Sequence, residues 1–146
     1  MSFKDWNLLI HDLVDNNRAI LWPPAATEET RSSVTDVIGT EHIDFINFYS
    51  LTNGLSLQWL TILPNSEVPA APFITLREAN DVTRTPYLGA NDDLLSRFAV
   101  FADIGGGSVA AVEKSNGIIW YEEDGELVQT TLDLESFILT CLREMV

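Results

Sequence analysis

The hydrophobic rhythm of the chain changes about a third of the way along. Near the start, Trp6, Leu9, Ile10, Leu13 and Val14 recur at i, i+3, i+4, i+7 and i+8, one face of a helix. This spacing predicts a helix over residues 3–17. The "WPP" at 22–24 breaks any helix, because proline removes a donor and restricts the residue before it. Thr27 then caps a second helix, with Glu28 and Glu29 beside the positive end of its dipole. Val34, Val37 and Ile38 form its apolar side and Gly39 stops it. A third helix runs through "EHIDFINFYSLTNG" (41–54), leaving at Asn53-Gly54.

Beyond Gly54 the period shortens to that of strands. "LSLQWLTIL" (55–63) reads as one strand and "FITL" (73–76) as a short partner. Residues 64–97, which contain Pro64, Pro69, Pro72 and Pro86, read mostly as connection. "FAVFADI", "SVAAVEK", "IIWYEE" and "ELVQTT" are four further strands, with turns signalled by "SNG" at 115–117 and "DG" at 124–125. Asp133 opens a last helix whose core face is Leu134, Phe137, Ile138, Cys141, Leu142 and Met145. Helices at both ends and strands between them predict one α+β domain over 1–146, a mostly antiparallel sheet with N-terminal helices and a C-terminal helix packed on it. Residues 1–21 read as a helical extension of a core spanning 22–146.

Composition narrows the function classes. A length of 146 residues suits a single domain. No apolar run approaches the ~20 residues that cross a bilayer, and Asp5, His11 and Asp12 interrupt the first apolar stretch. A cytoplasmic location is the expectation. The single cysteine, Cys141, excludes an internal disulfide and a cysteine-rich metal site, and its place on the last helix predicts a small core residue. Twenty-two acids against eight bases give a net charge of −14. The bases never cluster, which argues against a direct nucleic-acid footprint. The acid excess fits either plain solubility or a surface matched to a basic partner.

The three glycines, Gly105 to Gly107, raise a specific alternative. Gly105, Gly107 and Ala110 fit the G-x-G-x-x-G/A dinucleotide pattern, and Glu122 and Glu123 follow Gly105 by 17 and 18 residues. That pattern binds pyrophosphate because a helix follows the glycines and offers its amides. Here only nine residues, Ser108 to Asn116, precede the next turn glycine. A parallel crossover takes at least a dozen, so two hairpins account for the segment more simply. His11 and His42 read as chance surface or boundary positions. The carboxylate pairs Asp92-Asp93 and Glu122-Glu123 do not by themselves make an acid–base site. Alternation in a strand places one of Trp120 and Tyr121 outward, beside Glu122 to Asp124, a composition suited to an interface anchor.

The order of these pieces resembles the SUKH superfamily (Smi/Knr-like domains) over residues 22–146. "PPAATEETRSSVTDVIG" is similar to its proline-led first helix, and "FINFYSLTNG" to a second helix ending in Asn-Gly. "FAVFADIGGGSVAAVEKSNGIIWYEEDGE" resembles its strand, glycine-rich turn and hairpin series. "TLDLESFILTCL" resembles its closing helix, with Ser136-Phe137 near the start. Members commonly carry Leu-Pro before the second helix, where this chain has "GTEH", and an acid after the glycine turn, where it has Ser108. These departures mark a divergent subgroup. The resemblance implies binding rather than catalysis and no cofactor. For bacterial members it implies an immunity protein that occupies a basic toxin domain, often a nuclease; for eukaryotic ones, a regulatory scaffold linked to cell-wall signalling. An acid–base enzyme or a nucleotide-binding protein is the remaining alternative. On the immunity reading, the expected contact residues are Glu122, Glu123, Asp124 and Glu126 at the second hairpin, with Asp103 near the glycine turn. Trp120 or Tyr121 supplies the apolar anchor.

Overall fold

A computed structural model of the protein describes residues 19–22, 32, 34–39, 42–57, 59–65 and 74–145. Among the described residues, seven strands form one open sheet in chain order, every neighbouring pair antiparallel. They are β1 (Ala19–Leu21), β2 (Leu55–Leu57), β3 (Leu60–Ile62), β4 (Phe98–Asp103), β5 (Val109–Glu113), β6 (Ile119–Glu123) and β7 (Glu126–Gln129). The helices are α1 (Ile43–Leu51), α2 (Leu76–Ala79), α3 (Asp92–Arg97) and α4 (Leu134–Met145). The predicted α+β class with an antiparallel sheet is the class found. The helix expected over 3–17 and the start of the second lie outside the described residues. Of the second, 34–37 are helical, and Gly39 follows at φ 125°.

Three local expectations are corrected. Residues 19–21 pair with β2 as an edge strand rather than closing a helical extension. "LSLQWLTIL" is a hairpin, with Leu55 opposite Ile62 and Leu57 opposite Leu60. "FITL" contains no strand: Thr75 caps α2, its hydroxyl accepting from Glu78 N at 3.2 Å while the Glu78 carboxylate accepts from Thr75 N at 3.3 Å. That reciprocal pair satisfies two helix-terminal donors and sets a helix where alternation suggested a strand.

Both faces of the sheet are covered. On one, α1 contributes Phe45, Phe48 and Tyr49, and α4 contributes Leu134, Phe137, Ile138 and Cys141. These residues recur at helical spacing, and each fully buried large side chain contributes roughly 1.5–3 kcal/mol. On the other, the excursion between β3 and β4 lays Ala79, Tyr87 and Leu95 over Phe98, Val100, Val109 and Ala111. β4 and β5 are therefore buried on both sides, and Ala99, Ala102, Ala110 and Ala111 leave room for the layers to approach. A bulge between Val100 and Ala102 inserts Phe101 as an extra residue opposite β5. The Phe101 ring meets Phe45 of α1 at 5.1 Å and Phe137 of α4 at 5.7 Å, both edge-to-face. Asn80 completes the edge of β4 that β3 does not reach: its amide donates to Val100 O at 2.8 Å and accepts from Val100 N at 2.7 Å.

The Asn53-Gly54 exit is a knot rather than a free turn. Asn53 N donates to Trp22 O at 3.0 Å, and Asn53 Oδ1 accepts from Asn65 N at 2.8 Å. The buried Tyr49 hydroxyl donates to Leu63 O at 2.7 Å, and burial holds that phenol protonated far above the ordinary tyrosine range. Gly54 lies at φ 103°, and a Cβ there would stand 2.6 Å from Ile62 O. Gly54→Ala is therefore expected to destabilise the fold by on the order of 3 kcal/mol or more, read as a lowered urea midpoint, because both conformation and space exclude a side chain.

Asp133 caps α4, its Oδ1 accepting from Ser136 N at 2.8 Å, and this backbone bond with that of the Ser136 side chain lowers its pKa. The folded value lies below the unfolded one of about 3.9, so the charge contribution is present above that pH and is lost as pH falls through the folded value. Asp133→Ala is expected to lose about 1 kcal/mol at neutral pH. Asp133→Asn, which keeps a capping oxygen, is expected to differ from the parent at pH 7 and to converge with it only as pH falls from about 3.9 through the folded value. A difference that persists unchanged at low pH contradicts this account.

Candidate functional site at the acidic hairpin

The glycine segment closes a hairpin. Gly105, Gly106 and Gly107 lie at φ 107°, 62° and 84°, conformations only glycine adopts without strain. Ile104 N donates to Ser108 O at 2.9 Å and Ser108 N to Gly105 O at 3.1 Å. Strand β5 starts at Val109 and pairs antiparallel with β4, where a dinucleotide site has a helix and a parallel crossover. Asp103 is half-buried beneath the loop: Oδ1 accepts from Gly105 N at 2.8 Å and Oδ2 from the Tyr87 hydroxyl at 3.1 Å. Burial, with the Asp103 charge added to it, holds the Tyr87 phenol well above the usual range. Asp103 thus braces the glycine turn against the β3–β4 excursion.

Trp120 and Tyr121 take opposite faces, as alternation requires. Because both faces are covered, each is half-buried and neither stands wholly outward. Trp120 meets Phe98 at 5.5 Å, and its Nε1 donates to Glu113 Oε1 at 3.1 Å. Glu113 Oε2 accepts from Arg97 Nε at 3.0 Å, and the Arg97 guanidinium lies 4.8 Å from the centre of the Phe98 ring and 5.6 Å from that of Trp120. Burial opposes ionisation of Glu113, but the bonds from Arg97, Asn116 and Trp120 outweigh it and leave its carboxyl below the ordinary value. Trp120 is thereby locked into the fold. Tyr121 faces α4, with its hydroxyl donating to Glu123 Oε2 at 3.3 Å.

The acids of the second hairpin divide in the same way. Asp124 and Gly125 lie at φ 53° and 82°, the two positive values of a type I′ turn, for which Asp-Gly is suited. Glu122 is half-buried, and its Oε1 accepts from Val109 N at 3.0 Å, tying β6 to the mouth of the glycine turn. It also lines a hollow of about 520 Å³ walled by Pro86, Leu88, Leu94 and Leu127. The left-handed turn Leu88–Ala90, with φ of 52°, 61° and 52°, shapes that hollow. Glu123, Asp124 and Glu126 are exposed, and Glu123 stands directly opposite Glu126 across the strand pair. Like charges in that position repel. The ion pairs among the described residues, Asp36–Arg77, Asp81–Arg84 and Arg97–Glu113, all lie away from this tip.

His42, read as a chance surface or boundary position, is buried: its Nε2 donates to Lys114 O at 2.9 Å, and Gly117 packs against the ring. His11 lies outside the described residues. Cys141 is buried as expected, and burial, assisted by the Glu144 charge, pushes its thiol up to about 12. Among the described residues, no three His, Cys, Asp or Glu side chains gather to hold a metal ion, and no helix is long and apolar enough to cross a membrane.

This division of the acids is measurable. Glu122→Ala is expected to lower stability by about 1–2 kcal/mol, the cost of a buried amide left without its charged acceptor. Glu123→Gln is expected to leave stability unchanged or slightly raised, since it removes the repulsion with Glu126. Equal losses from both substitutions in urea unfolding contradict the division.

No protein-family model, curated protein or solved structure matches the chain.

Proposed function

We propose that this protein is a non-enzymatic protein-binding module that uses the β6–β7 hairpin to engage a basic partner, and that the partner is a toxin domain which it neutralises, as in immunity proteins of the SUKH type. The observation that carries the reading is the exposed cluster of Glu123, Asp124 and Glu126. Glu123 takes one solvent-exposed bond, from the Tyr121 hydroxyl at 3.3 Å, and it stands opposite Glu126 across the strand pair. A chain of net charge −14 surrounds this tip with a field that attracts a cationic surface and repels anions. A toxin that binds nucleic acid presents a basic groove to phosphates, and a rigid acidic hairpin competes for that groove by charge and shape. Asp103 and Glu122 act here by holding the two hairpins in place, and Tyr121 supplies apolar contact beside the tip.

The test begins with the protein as bait in its own cell extract, eluted by rising salt, followed by association kinetics with the partner recovered. A basic toxin-like protein is expected, with an association rate that falls about tenfold or more from low to high salt. The triple substitution Glu123→Gln, Asp124→Asn, Glu126→Gln is expected to slow association about tenfold at low salt and to flatten its salt dependence. Association that is indifferent to salt, or a recovered partner with no basic surface, removes the proposal.

A further inference from the structure

Beside the hairpin, on the α4 face, Trp59, Ile104, Tyr121, Leu132 and Phe137 line a groove of about 400 Å³. Its lining is mainly apolar, and Trp59, 38% exposed, leaves a large aromatic surface in water at its side. The groove also has a sign. Glu123 and Glu144 contribute to its wall, and no described residue lining it is basic. The Glu123 carboxylate is placed there by its bond from the Tyr121 hydroxyl. Glu144 lies near enough to the Cys141 thiol to disfavour its ionisation. The volume falls within the range of about 300–1,000 Å³ typical of ligand sites. Asp124 and Glu126, at the tip of the hairpin, do not line it.

We infer that this groove is the anchor site for an amphipathic, cationic segment of the partner protein, seating an apolar side chain over Leu132 and Phe137 and a neighbouring lysine or arginine against Glu123 and Glu144. The inference rests on the reading of the protein as a binder of basic proteins and adds what that reading lacks, a desolvated centre. Exposed charges steer encounter but hold weakly once salt screens them. An apolar anchor sealed by a polar rim is what lengthens residence. Negative charge on the rim selects a cationic segment over an acidic one of equal hydrophobicity.

The test uses the full chain, labelled with ¹⁵N, and three synthetic helical peptides: one of leucine and lysine, one with each leucine replaced by serine, and one with each lysine replaced by glutamate. The leucine–lysine peptide is expected to shift the amides of Ile104, Tyr121, Leu132 and Thr140 saturably. The serine–lysine peptide should bind at least tenfold more weakly, and the leucine–glutamate peptide should leave those amides in place. Thr140→Trp, which fills the groove from α4, is expected to weaken the leucine–lysine peptide at least tenfold with the circular dichroism unchanged. Should that variant unfold, Glu144→Lys tests the same site by inverting the rim charge, with the same loss expected. Equal binding of the serine–lysine peptide, shifts located elsewhere, or full affinity in the substituted chains overturns the inference. The two readings fail separately. Asp124→Asn with Glu126→Gln, which leaves the groove intact, should slow association of the recovered partner without shortening its residence; Thr140→Trp should shorten residence without slowing association.

Discussion

Phe101 is the residue on which the layers of this protein converge. A bulge in β4 places it opposite β5 without a pairing partner of its own, on the helix face of the sheet. Its ring stands edge-to-face with Phe45 from α1 and Phe137 from α4. Two helices far apart in sequence are thus referenced to one strand. The edge-to-face geometry is directional, where general apolar contact is not. The bulge also increases local twist. Without it, Ala102 and Asp103 would exchange faces, and Asp103 could not reach both the Gly105 amide and the Tyr87 hydroxyl.

The opposite face is held by polar groups as much as by apolar ones. Glu113, buried at the end of β5, joins Arg97 from the end of α3 to Trp120 on β6. Asn80 joins the end of α2 to the edge of β4. Both couple the excursion between β3 and β4 to the middle of the sheet. The Asn80 amide replaces ladder bonds that β4 lacks there, so the Val100 backbone stays paired. Glu122, bonded to Val109 N, then sets β6 against the start of β5. The turn at Asp124-Gly125 is therefore the outer end of a braced structure, and its carboxylates are presented from a defined position.

The legible parts of the fold were those where local chemistry and tertiary demand agree. Ser115 to Gly117 and Asp124-Gly125 signalled turns, and turns are there; Asn53-Gly54 signalled the exit of α1, which ends at Leu51. The apolar spacing of Leu134, Phe137, Ile138 and Cys141 signalled a buried helix face. The hairpin within residues 55–63 was not legible, because Gln58-Trp59 is no turn signature and leucines fall at compatible positions for one strand or two. α2 was legible in principle: Thr75 and Glu78 carry the capping-box spacing, which the short apolar run "FITL" obscured. The Phe101 bulge left no signal, since an unbroken apolar run looks the same with or without an extra residue. The same holds for the site. The acids of residues 122–126 were visible as a group, but not that Glu122 is tied into the fold and Trp120 locked against Glu113. The groove brings Trp59, Ile104 and Leu132 together from separate elements, which no local pattern encodes.

Net charge overstates the surface open to a partner, because a folded acidic chain uses part of its charge internally. Asp103, Glu113, Glu122 and Asp133 each accept a bond from the fold, and each would leave a donor of the fold without its acceptor if truncated to alanine. Their negative charge is explained by structure. Glu123 and Glu126 are different, because the fold gains nothing from placing them opposite one another and gives up a little stability in doing so. A local choice that conflicts with stability, on a rigid turn and beside an apolar groove, is where function is to be sought in an otherwise consistent fold. By that criterion the glycine loop, whose features are all accounted for by its hairpin, is structure, and the acidic tip with the groove beside it is the surface we propose for binding.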